Sequence, residues 1–127
     1  MHDQDKAILM SLVSVAWADQ KVTSEESELL EGLLEAFGAT PEEARDLREY
    51  ATSPRTLDDI PLTELSTEDR RALLQHAVLL TFVDGVQSED ERKLLDSLCE
   101  KLRIPKDEAA SLLAAAEARA KRLLKLL

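Results

Sequence analysis

Residues 3–37 return as residues 68–102, a displacement of 65 positions that needs no gap. Ala7, Ile8 and Leu9 fall on Ala72, Leu73 and Leu74, and Val13, Val15 and Trp17 fall on Val78, Leu80 and Phe82. Past an acidic turn, Thr23 meets Ser88, Glu26 meets Glu91, and Leu29, Leu30 and Leu33 meet Leu94, Leu95 and Leu98. A chain with this echo is constrained to fold as two similar halves, each a helix, a turn and a second helix. Its 127 residues suit one domain, with pseudo-repeats over about 3–51 and 67–127 and a crossover over about 52–66.

The repeated unit is expected to be wholly helical. Only 3 Gly, 4 Pro and 3% aromatic residues stand against abundant Leu, Ala and Glu, and no stretch alternates apolar and polar residues with period two. Both facts point to an all-α bundle of about six to seven helices. The first helix is expected over 3–18 and its counterpart over 67–83. Each has an apolar face too wide for a surface helix, interrupted by Ser11 and Ser14 in one and by Gln75, His76 and Thr81 in the other. The two are therefore expected to lie together at the centre.

The second helices begin at Thr23-Ser24-Glu25-Glu26 and Ser88-Glu89-Asp90-Glu91. Both are capping boxes, in which the hydroxyl accepts from a free backbone N–H and the Glu accepts from the N–H of the cap residue. Their apolar stripes are Leu29, Leu30, Leu33, Leu34 and Phe37, ended by Gly38, and Leu94, Leu95, Leu98, Cys99 and Leu102, ended before Pro105. Pro41 and Pro105 are each read as opening a third helix, where a missing N–H costs nothing. Beyond that point the halves are expected to diverge. The first third helix is short, about 42–51, and leads into a loop with Pro54 and Pro61 and a helical turn near 57–60. The other runs from Lys106 toward the C-terminus, with Leu112, Leu113, Ala116, Ala120, Leu123, Leu124 and Leu127 on one side.

Charge and cysteine usage restrict the function. A net charge of −10 repels nucleic acid, whose recognition rests on neutralising phosphates, and favours basic partners or cations. A single Cys excludes a disulfide framework or a zinc cluster of cysteines and accords with a reducing, cytoplasmic setting. No apolar run approaches a membrane span, and MHDQDK is too acidic for a signal peptide. No nucleophile–base pair or Gly-rich phosphate loop stands out, so a non-enzymatic role is expected.

The two turns, AWADQKVTSEE (16–26) and TFVDGVQSEDE (81–91), resemble the TerB-like family, whose helix-ending "ADG-x-(V/I)-S-x-x-E" signature precedes an acidic helix. A domain of this kind also begins a membrane-anchored DnaJ-like co-chaperone. The resemblance implies an all-α domain of two similar halves, in bacterial proteins linked to tellurite resistance, stress responses and phage defence. It further implies acidic patches that bind divalent cations. Here these would comprise Asp19, Glu25 and Glu26 in one half and Asp84, Asp90 and Glu91 in the other. The first half departs from the signature at Gln20, which stands where the second has Gly85.

An EF-hand is excluded, because counting from Asp84 puts Val86 at position 3, Glu89 at position 6 and Leu95 at position 12. Two readings of the acidic turns stay open. In the first, each Asp fixes a turn and each Glu completes a cap, with no ligand. In the second, the carboxylates converge on Ca²⁺, Mg²⁺ or Zn²⁺ with water completing the shell. His76 reads as a half-buried histidine and Cys99 as a core residue. Residues 117–127 carry four basic side chains and one acidic one, a net +3, which leaves −13 for residues 1–116. That basic helix end either packs on the acidic body or contacts a protein, a second copy or an anionic membrane. The function expected is a protein-interaction or scaffolding module in a bacterial stress or defence system, with a protein partner. The alternative is a cation-binding sensor.

Overall fold

A computed structural model describes residues 1–19, 22–83 and 87–124, with Asp19 described in its backbone alone. Every regular element among them is helical: α1 (Asp3–Ala16), α2 (Ser24–Ala36), α3 (Pro41–Tyr50), α4 (Thr67–Phe82), α5 (Glu89–Lys101) and α6 (Lys106–Leu123). Short 3₁₀ turns at Trp17–Asp19, Leu57–Asp59 and Leu62–Glu64 accompany them. The first helix thus tightens after Ala16 instead of running α-helically to residue 18. There Trp17 is anchored by its indole Nε1, which donates to Ala51 O at 2.9 Å.

The wide apolar faces of α1 and α4 have the expected consequence. The two helices pack together, and α4 packs most extensively against α6. Leu9, Leu12, Val13, Leu73, Leu74 and Ala77 are sealed from water. The two serines that interrupt α1 are sealed as well. Ser11 Oγ donates to Ala7 O at 2.7 Å, whereas Ser14 Oγ has no hydrogen-bond partner among the described residues. In α4, Thr81 Oγ1 donates to Val78 O at 2.7 Å and accepts from Gln87 Nε2 at 2.9 Å.

Around this pair, α2 and α5 begin with the capping boxes read from the sequence. Thr23 N donates to Glu26 Oε1 at 2.9 Å and Glu26 N to Thr23 Oγ1 at 3.1 Å; Ser88 and Glu91 repeat the exchange at 2.9 and 3.1 Å. The same local chemistry starts α3 at Thr40 and Glu43, and α4 at Ser66 and Asp69. Arg70 Nη1 and Nη2 donate to Leu102 O at 3.1 Å and Leu62 O at 2.9 Å, tying the crossover to the end of α5. An Arg71–Glu108 ion pair joins the starts of α4 and α6.

The helix ends also repeat, with unequal chemistry. After α2, Ala39 N donates to Leu34 O at 3.0 Å and Gly38 N to Glu35 O at 3.1 Å, a Schellman pair. After α5, Ile104 N donates to Cys99 O at 3.1 Å and Arg103 N to Glu100 O at 3.0 Å. Gly38 has φ 72°, a value glycine accepts readily; its counterpart 65 positions on, Arg103, holds φ 59° against the usual preference of an L-residue.

Three expectations need correction. Pro41 is the first residue of α3, but Pro105 is the N-cap of α6, because the 65-residue register places it over Thr40 and not over Pro41. The third helices differ in length yet stay in register. Two grooves of about 250 Å³ each, one per half, are lined at equivalent positions. Val78, Gln87, Leu95, Asp96, Leu113 and Glu117 stand for Val13, Val22, Leu30, Glu31, Arg48 and Thr52. Finally, Leu123 does not join the packed side of α6: it is 58% exposed, while Ala116 and Ala120 fill the seam. Leu127 lies outside the described residues.

Three substitutions test these features by denaturant unfolding. Arg103→Gly is expected to stabilise the fold by about 1 kcal/mol, and Gly38→Ala to destabilise it by a similar amount, because a positive φ is cheap only without a Cβ. Ser14→Ala is expected to leave stability unchanged or raise it by up to about 1 kcal/mol, since it removes a buried hydroxyl that bonds to nothing. A loss above that size would mean the hydroxyl is satisfied.

Candidate functional site

The capping boxes at the starts of α2 and α5 meet across the molecule. Glu26 from one half and Ser88, Asp90 and Glu91 from the other line a single cleft of about 410 Å³. Its apolar lining comes from Val15 and Ala18 beside α2, and from Leu80 and Leu94 in the second half. Val15 and Leu80 are equivalents in the 65-residue register, and so are Glu26 and Glu91. A cavity lined by both members of two equivalent pairs is shared by the two halves. Neither half contains this cleft alone.

The carboxylates differ in their surroundings. Glu26 is buried, at 9% exposure, with Oε1 on the Thr23 N–H; Glu91 is half-buried with Oε1 on the Ser88 N–H. Both sit in the first turn of a helix, where the unpaired N–H groups favour negative charge. Asp90 is exposed on the rim. Glu25 points elsewhere: it is exposed, does not line the cleft, and accepts from Ser24 Oγ at 3.4 Å. Asp84 and the side chain of Asp19 lie outside the described residues, as do Gln20 and Gly85.

Of the six acidic residues singled out in the sequence, Glu26, Asp90 and Glu91 are therefore brought together and Glu25 is not. Among the described residues, no three of His, Cys, Asp or Glu are grouped closely enough to hold a metal ion. Glu26 and Glu91 each commit one oxygen to a cap. The described residues alone do not complete a cation shell, so a metal here would depend on Asp19 and Asp84.

Val15, Leu80 and Leu94 carry no chemical mark of a site, and their spacing is that of core residues; the one signal for their place in the cleft is the register, which pairs Val15 with Leu80 beside the turns.

Two other groups have chemistry worth placing. Cys99 is buried, and burial, helped by the nearby negative charge of Asp96, pushes its thiol up to about 11. Such a thiol is protonated at neutral pH and is not poised as a nucleophile. His76 is half-buried between α4, α2 and α6, with its ring edge-on to Phe37 at 5.8 Å between centroids. Native protein is expected to leave Cys99 unmodified by an aromatic disulfide reagent over the time in which urea-unfolded protein reacts fully. Rapid reaction of the folded chain would show that α5 opens.

No helix among the described residues is long and apolar enough to cross a membrane. Residues 5–116 match the family described as "Tellurite resistance protein TerB". No curated protein and no solved structure matches the chain.

Proposed function

The chain belongs to the TerB family, and on that basis we propose that it is a non-enzymatic protein-interaction or scaffolding module of a bacterial stress-response or defence system, of the tellurite-resistance type. Its acidic surface engages a basic partner. The observation that carries this reading is the cleft between the two halves, where carboxylates and aliphatic side chains of both line one space. A lysine or arginine side chain has the matching character: its methylene stem packs on Val15, Leu80 and Leu94 while its charged head meets Glu26, Asp90 and Glu91. The net charge of −10 steers cationic partners toward such a cleft and disfavours anionic ones.

The protonated thiol of Cys99 and the placement of His76 beside Phe37 support a binding role over a catalytic one. One buried cysteine accords with work in the cytoplasm.

A second reading keeps the same carboxylates: a divalent-cation sensor in which Ca²⁺, Mg²⁺ or Zn²⁺ recruits Asp19 and Asp84 and draws Glu26, Asp90 and Glu91 closer together. The two readings separate in one set of titrations. A fluorescent lysine- and arginine-rich peptide is expected to bind at low salt and to weaken as salt rises. Asp90→Lys should weaken it by about tenfold, because the substitution reverses a rim charge without touching either cap. Peptide binding that is absent, or indifferent to Asp90→Lys, would overturn the cleft as the partner site. Calorimetric heat with one of the three metals, lost on Asp84→Ala with Glu91→Ala, would establish the sensor reading instead.

A further inference from the structure

Where the last turns of α6 settle on the molecule, a small cavity of about 100 Å³ separates them from α4 and the end of α2. His76 and Leu79 of α4, Leu33 of α2, and Arg119, Ala120 and Leu123 of α6 line it. Ala120 is buried at the seam, while Leu123 is mostly exposed just beyond it. The imidazole of His76 stands edge-on to the Phe37 ring at an interplanar angle of 72°. Two charged groups act on it: Arg119 from α6 repels a proton, and Asp5 from α1 attracts one. The groups that α2 presents to it, Leu33 and Phe37, carry no charge.

We propose that this junction is an acid-sensitive latch, in which neutral His76 holds the end of α6 against α4 and α2, and protonation of His76 loosens it. The physical basis is the cost of a second cation beside the exposed Arg119, on an imidazole that is itself half-buried. The geometry localises the effect. No salt bridge among the described residues ties Arg119 or Arg122 to the body, and Lys121 is paired with Glu117 of its own helix at 3.2 Å. The end of α6 is thus held by apolar contact at the seam and by Lys121 Nζ over the Phe82 ring at 5.7 Å, and a charge on the half-buried imidazole weakens the seam contact.

The titration of the imidazole agrees in sign. Burial, reinforced by Arg119 and only partly opposed by Asp5, holds the pKa of His76 below its ordinary value of 6.5. The loosened state, whose imidazole is hydrated, then takes up a proton more readily than the closed state. The closed state is fully favoured above that ordinary value and loses ground as pH falls through it. Opening uncovers Leu33 and Leu79 beside Arg119 and Arg122, which are already exposed and are opposite in charge to the acidic body.

Hydrogen exchange of the full chain tests the latch. Between about pH 7.5 and about pH 5.5, after correction for intrinsic exchange, opening of amides 116–124 should increase by about threefold or more, with α5 unaffected. His76→Gln should abolish that response and Arg119→Gln should reduce it. An unchanged opening constant in the wild type, or an undiminished response in His76→Gln, would overturn the proposal. Should His76→Gln fail to fold, NMR titration of the wild-type imidazole decides: a pKa at or above that of a free histidine overturns the latch, and one below supports it.

Discussion

Along the α1–α4 pair, Leu9, Leu12, Leu73 and Leu74 have lost all contact with water, and each such leucine contributes roughly 1.5–3 kcal/mol by burial. A helix apolar on most of its circumference must be surrounded, and two of them can be surrounded most economically when they shield each other. The remaining helices then close the open sides: α2 and α3 over α1, α5 and α6 over α4. The cleft owes its position to this arrangement. Val15 and Leu80 come from the last turns of the two central helices, so the starts of α2 and α5 are brought to a common edge.

What could be read from the sequence was local or repeated. A capping box spans four residues, so Thr23 to Glu26 and Ser88 to Glu91 declare themselves wherever the helix lies. The central helices were legible because their apolar width leaves few alternatives. The convergence of Glu26 with Glu91 was not legible, since the 64 intervening residues must first fold before those two carboxylates share a space. Glu25 illustrates the limit from the other side: it sits next to Glu26, yet helical geometry turns its side chain away from the cleft.

At two positions residue type alone misleads, for different reasons. Leucine at 123 continues an apolar spacing, but by that point α6 has reached the edge of the core, where Leu124 still packs partly and Leu123 is left mostly exposed beside the small cavity. Proline at 105 has the chemistry of a first helical residue, yet the register with the first half sets it one place earlier, over Thr40. At Arg103 nothing in the side chain announces a left-handed backbone, and only its alignment with Gly38 does so.

The internal repeat also governs how ligands would be counted. Anything that seats in the shared cleft finds one position per chain and meets both halves at once. Anything that seats in the grooves within each half finds two positions, distinguished by the Glu31–Arg48 ion pair in one and by Asp96 and Leu113 in the other. Stoichiometry alone, one against two, would therefore report which part of this molecule a partner has chosen.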